Sequence, residues 1–246
     1  MSFKDRENSI LEYLSQNREA TIEELCAKLF VSAPTIRRDL KALADSGKII
    51  RTHGGAFLNN LPWESTPQEL REKEYVAEKD IIVKKCLDLI NDGDTIMIDA
   101  SSTGLQLIRL LSEKNSIIVI TNSTKASFIS AKTGVKIFVC GGETSKTSFG
   151  YIGSFAEEFI RKFNADICFF SVSALTFDGK LTDNSIAENQ ISKAMMECSK
   201  KSVLMLNSQK IGSIQRNTLC TLNNVDLVVS EKDISDKFPQ YKEKFI

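Results

Sequence analysis

Residues Thr21–Leu58, TIEELCAKLFVSAPTIRRDLKALADSGKIIRTHGGAFL, decide how the chain begins to fold. Their spacing predicts two helices separated by a tight turn. Thr21 is placed to cap the first, with Glu24 as its capping-box partner, and Ile22, Leu25 and Leu29 share one face. Ser32 caps the second, and Pro34 stands in its first turn, where a missing N–H costs nothing. Ile36, Leu40 and Leu43 then point inward, leaving Thr35, Arg37, Arg38 and Lys41 to face outward. Gly47 stands where a helix-ending glycine belongs. Upstream, Ile10, Leu11 and Leu14 mark one face of a helix that starts near Lys4 or Asp5. Downstream, Lys48–Phe57 reads as a wing, with a turn at Gly54–Gly55. Three helices and a ribbon in this order make a helix-turn-helix whose last helix suits the major groove of double-stranded DNA.

Bulk charge gives no hint of such a partner, because 32 basic residues balance 32 acidic ones over 246 positions. Locally, Arg37, Arg38, Lys41, Lys48 and Arg51 outnumber Asp39 and Asp45, while Glu7, Glu12, Glu19, Glu23 and Glu24 make the preceding helices acidic. A head with so modest a charge implies that two heads pair on a repeated or palindromic site. The plainer reading is a solvated helix face, with one arginine paired to Asp39 or Glu23. His53, the sole histidine, is as readily a neutral wing side chain as a DNA contact. The six cysteines lie far apart, without CxxC or a nearby histidine, which argues against zinc and against a disulfide scaffold. Cys140 and Cys168 sit in apolar runs and read as buried thiols. The segment MSFKDRENS does not read as a signal peptide, and no apolar run reaches membrane-spanning length. The expectation is a cytoplasmic chain with no membrane partner, no metal and no cofactor.

From Asn59 to Glu78 the periodicity fades into a linker, which runs into a helix including Glu69–Leu89. A lone tryptophan is usually at least partly buried, so Trp63 is expected to dock this linker. Beyond it, apolar strands at 95–99, 116–121, 135–140, 167–174, 202–207 and 225–230 alternate with helical stretches. Near-continuous apolar strands between helices predict a mainly parallel sheet covered on both faces, with ligands at the strand C-termini. Three of those ends carry polar clusters. Asp99 precedes Ser101, Ser102 and Thr103 at a helix start; Thr121, Asn122 and Ser123 open the next; Gly141 and Gly142 precede a hydroxyl-rich loop. Free N–H groups at a helix start favour an anion, hydroxyls add donors, and a carboxylate accepts from sugar hydroxyls. Together they describe a pocket for a phosphorylated sugar, although each element alone is often only a capped helix or a turn.

SAPTIRRDLKAL (32–43) followed by IIRTHGGA (49–56) resembles the DeoR family of bacterial transcriptional regulators, and the resemblance covers nearly the whole chain. It implies that Ser32, Thr35, Arg37 and Arg38 meet phosphates or base edges, and that Arg51, His53 and Gly54 touch the DNA backbone or minor groove. It implies an α/β fold: a winged helix-turn-helix domain over 1–58, a linker over 59–78, and an effector-sensing domain over 79–246 similar to ribose-5-phosphate isomerase. FDGKLTDNSIAENQISKAMME (177–197) and MLNSQKIG (205–212) resemble later family segments and would bring Asp183, Glu188 and Lys210 to the ligand. The family often has glycine at the place of Ser101 and aspartate at the place of Asn207. A dimer or tetramer is implied as well.

Three functions remain open on these residues. The favoured one is a repressor of carbohydrate genes whose DNA affinity responds to a phosphorylated sugar. The others are an isomerase-like enzyme carrying a DNA-binding head, and an architectural DNA binder whose second domain only oligomerises.

Overall fold

Thr21 caps a helix in the computed structural model, which describes residues 3–17, 19–45, 48–51, 54–58, 68–145 and 147–246. The Glu24 amide donates to Thr21 Oγ1 at 3.2 Å, and the Thr21 amide donates to Glu24 Oε2 at 2.7 Å, closing the capping box. The chain divides into two units, Met1–Pro62 and Trp63–Ile246. The first holds α1 (Phe3–Asn17), β1 (Glu19–Thr21), α2 (Ile22–Leu29), α3 (Ala33–Asp45), β2 (Ile49–Arg51) and β3 (Gly55–Leu58). Ile10, Leu14, Leu25, Ile36, Leu40 and Leu43 are fully enclosed between the three helices, and each such burial stabilises by about 1.5–3 kcal/mol. Leu11 and Ile22 pack at the edge of that core.

The wing has one strand more than its sequence suggests. β3 pairs antiparallel with both β2 and β1, so the strand just before the capping threonine joins the ribbon. Gly55 makes this possible. A Cβ there would lie 2.0 Å from the Ala20 carbonyl oxygen and 2.8 Å from Thr21 Cα. Gly47, His53 and Trp63, singled out above, lie outside the described residues.

The second unit is built on six parallel strands in the order β14-β12-β9-β4-β5-β6. They are β4 (Thr95–Ile98), β5 (Ile118–Thr121), β6 (Lys136–Val139), β9 (Ile167–Phe170), β12 (Ser202–Leu206) and β14 (Leu227–Ser230). Each falls inside one of the six apolar runs. One core cluster includes Met97, Ile120, Phe170 and Leu204; another includes Ile96, Val119, Phe169 and Val203. Neighbouring residues of one strand thus serve different clusters, which is why these strands are largely apolar. Helices α6 (Ser102–Leu110), α7 (Ala126–Thr133), α8 (Ser154–Ile160) and α9 (Ile186–Glu197) lie in the chain between strands. Two short antiparallel assemblies were not expected: the hairpin β7 (Glu143–Thr144) with β8 (Tyr151–Ile152), and a sheet of β10 (Ala174–Leu175), β11 (Lys180–Asp183) and β13 (Asn217–Thr221).

The single helix expected over Glu69–Leu89 is two. α4 (Gln68–Lys73) and α5 (Val76–Leu87) are separated at Glu74–Tyr75, where Tyr75 adopts a left-handed φ of 51°. Lys79, buried, donates its ammonium to the Arg71 and Glu74 carbonyls and so satisfies the end of α4. Part of the expected linker is therefore folded into the second unit. Cys86, Cys140 and Cys168 are buried free thiols; burial pushes Cys140 and Cys168 up to about 12. Among the described residues no helix is long and apolar enough to cross a membrane.

Candidate functional site

In the first unit, α3 displays Arg37, Arg38 and Lys41 to solvent, with Ser32 exposed just before it and Thr35 half-buried in its first turn. The Ser32 and Thr35 hydroxyls lie 3.0 Å apart, and the Ser32 carbonyl accepts from the Ile36 amide at 3.1 Å. Arg51 and Gly54 are exposed on the wing. Among the described residues none of Arg37, Arg38, Lys41 and Arg51 has an ion-pair partner, so their charge is available. Asp39 does not take an arginine from its own helix. It faces inward, and Arg6 of α1 donates to both its oxygens at 2.6 and 3.0 Å. Lys48 is spent on Glu7 at 2.5 Å.

The second unit has a cleft at the C-terminal ends of its parallel strands. With its open mouth included it spans about 890 Å³ of empty space. Asp99, Ser101, Ser102, Thr103, Asn122, Asp183, Glu188 and Lys210 all line it. Thr121 and Ser123 are fully buried beside it, where the Thr121 hydroxyl accepts from the Ser123 amide at 3.1 Å. Gly141 and Gly142 lie elsewhere, in a shallower depression with Phe155 and Lys162. Ser101 caps α6 by accepting from the Gly104 amide at 2.9 Å, which points the helix start at the cleft. Asp99 accepts from the Ser101 hydroxyl at 2.5 Å, the Ser101 amide at 3.2 Å and the Ser171 amide at 2.8 Å. Burial nevertheless pushes its carboxyl up to about 6. Asp183 accepts from the Ser173 amide and hydroxyl and from the Asn184 amide, and burial raises it as well. Glu188 accepts from the Ser145 hydroxyl at 2.7 Å.

Several lining residues were not on the list read from the sequence. Arg71, Glu74, Tyr75 and Lys79 come from α4, α5 and the break between them, and Ser148, Ser171, Ser173, Asn189 and Asn207 add polar groups to the wall. Ser171 and Ser173 follow β9, so the strand-end rule applied to a fourth strand would have found them. Lys210 donates to the Ser171 hydroxyl at 2.9 Å and the Val172 carbonyl at 2.6 Å. Burial lowers Lys210 and Lys79 to about 8 each, against the pull of Asp183 on the first and Glu74 on the second, and Arg71 adds a smaller like-charge repulsion to both. Two of the buried amides that line the cleft are half-satisfied among the described residues. Asn122 donates to the Tyr151 carbonyl at 3.0 Å while its Oδ1 has no partner there. Asn207 accepts from the Gln209 amide at 2.9 Å while its Nδ2 has none. In each case the bonded atom fixes which atom is left over, one acceptor and one donor.

Comparison with known proteins meets this geometry. Residues 6–61 match the DeoR-like helix-turn-helix domain and residues 74–232 match the DeoR C terminal sensor domain. The chain belongs to the DeoR family of transcriptional regulators. It is 32% identical over 232 residues to the HTH-type transcriptional regulator GolR of Listeria innocua, covering 94% of this chain and 91% of that one. It is 31% identical over 233 residues to the glycerol-3-phosphate regulon repressor of Escherichia coli, covering 93% and 89%. Among solved structures, the translation initiation factor eIF-2B of Pyrococcus horikoshii is similar in fold, with a TM-score of 0.52, 18% identity and coverage of 92% and 82%. Ribose 5-phosphate isomerase A of Methanocaldococcus jannaschii matches 54% of this chain and 53% of its own at a TM-score of 0.40 and 16% identity, too distant to carry a functional argument. This DeoR-family chain is thus a DNA-binding transcriptional regulator with a sensor domain, and the cleft lies in that domain.

Proposed function

We propose that this regulator represses carbohydrate genes and that a phosphorylated sugar in the cleft changes its grip on the operator. One observation carries the reading. Arg71, Lys79 and Lys210 surround the cleft, and among the described residues none has a carboxylate within ion-pairing distance. Asp183 and Glu74 attract Lys210 and Lys79 from a distance, but cations with no bonded carboxylate leave room for an anionic occupant. The start of α6 adds free N–H groups of the same preference. Asp99, Asp183, Glu188 and the two half-satisfied amides supply acceptors and donors for hydroxyls. The name of the E. coli relative, a glycerol-3-phosphate regulon repressor, agrees with a small polyol phosphate.

Ser32, Thr35, Arg37, Arg38, Lys41, Arg51, His53 and Gly54 form the DNA-contacting set in this reading, and two heads of a cytoplasmic dimer or tetramer share a palindromic operator. The chain acts as a sensor and not as an enzyme. An isomerase needs a base free to take a proton next to a carbonyl. Asp99 has a raised pKa suited to that task, yet three hydrogen bonds tie it to its own loop and to Ser171. The deciding experiment measures binding to promoter fragments from the chain's own locus with and without a panel of sugar phosphates, beside a turnover assay on ribose 5-phosphate. An operator response without turnover is expected. Operator binding that ignores every phosphate would leave a constitutive DNA binder.

A further inference from the structure

Resting on the sugar-phosphate reading, we propose that Arg71 recognises the effector's phosphoryl group and, through α4, passes occupancy of the cleft to the linker. α4 is the first described element after residues 59–67, which lead from the DNA-binding unit. It is docked on the sensor by contacts independent of any ligand. Gln68 donates to the Ala100 carbonyl at 2.9 Å, and Glu72 pairs with Lys125 at 2.7 Å and Arg109 at 3.5 Å. Residues 68, 71 and 72 share one face of the helix at three- and four-residue spacing, so the docked face is the one that carries Arg71.

The Arg71 guanidinium is only partly used. One terminal nitrogen donates to the Thr147 carbonyl at 2.7 Å, while Nε is buried and has no partner among the described residues. An arginine presents Nε and a terminal nitrogen as a planar fork that matches two oxygens of a phosphoryl group. The Arg71 carbonyl is held by Lys79 across the break, which ties the end of α4 to α5. An occupant bonded to Nε therefore adds to the docking of α4, and a ligand that prefers docked α4 favours that state of the element that residues 59–67 lead into.

The test uses the full chain with inorganic phosphate, glucose 6-phosphate, ribose 5-phosphate, glycerol 3-phosphate and unphosphorylated glucose as probes. Affinity is read by calorimetry, α4 by amide exchange over residues 68–73, and operator binding in parallel. Arg71→Gln is expected to weaken the phosphorylated probes about tenfold or more, the scale of one lost charge-assisted hydrogen bond. Arg71→Lys, which keeps the charge and loses the fork, should fall between, and it replaces Arg71→Gln if that variant does not fold. Glu72→Gln, which loosens the docking without removing a cleft residue, should weaken phosphate binding less than Arg71→Gln and lose most of the operator response. In the unsubstituted chain, exchange over α4 should slow when a phosphorylated probe binds. Undiminished phosphate affinity in Arg71→Gln, or a bound probe that leaves α4 exchange unchanged, overturns the proposal. If no phosphorylated probe binds the unsubstituted chain, the sugar-phosphate reading itself falls; binding that survives only there and not in Arg71→Gln bears on Arg71 alone.

Discussion

Arg37 and Arg38 stand side by side on α3 but differ from Asp39, their neighbour, in what they can do. Asp39 is consumed by Arg6, so it neither shields the arginines nor repels a phosphate. Replacing Arg37 or Arg38 by alanine is expected to weaken operator binding by about 1–3 kcal/mol if the side chain reads a base. A gel-shift titration checks this, and the thermal response to sugar phosphates should be untouched. In the cleft, Lys79 and Lys210 near 8 give a pH signature. Both are charged below pH 8 and lose their charge above it, while a bound phosphate favours the charged forms. Phosphate affinity should hold from about pH 7 to about pH 8 and fall beyond, with net proton uptake on binding near pH 8. Calorimetry in buffers of different ionisation enthalpy would measure that uptake. A flat profile to about pH 10 would mean these ammonium groups do not meet the anion.

The elements show why some of this was legible in advance. β4, β5, β9, β12 and β14 were readable because a strand with core on both faces is apolar nearly throughout, and the edge strand β6 still carries Ile137, Phe138 and Val139 in a row. β11 and β13, KLTD and NTLCT, carry no such mark; their pairing comes from neighbours far away in the chain. The break at Glu74–Tyr75 has no local sign either, since Tyr75 is no usual left-handed residue and Lys79 holds the corner from outside it. That single miss hid Arg71 and Lys79 from the candidate site. The strand-end rule located Asp99, Ser101, Ser102, Thr103 and Asn122, whereas Gly141 and Gly142 follow β6, at the sheet edge, and line another depression. At this scale Gly55→Ala is the sharpest test. The added methyl would meet the Ala20 carbonyl, so the head should lose about 2–4 kcal/mol of stability. Circular dichroism melts of the full chain would show it, and an unchanged first unit would contradict the β1–β3 pairing.

The whole molecule carries its apolar clusters in two separate units, one of them entirely within the head. Two cooperative transitions are therefore expected on heating. A sugar phosphate should raise only the transition of the sensor, by mass action, and operator DNA only that of the head in the absence of coupling. Scanning calorimetry with each ligand alone and with both measures the coupling directly, as the departure from additive shifts. Asn122 and Asn207 add a consequence of their own. They follow β5 and β12, which have β4 and β9 between them. An occupant that satisfied both leftover atoms would lash together four strands that otherwise touch only their immediate neighbours. Such a cross-brace would slow solvent exchange deep in the middle of the sheet, far from any atom it touches.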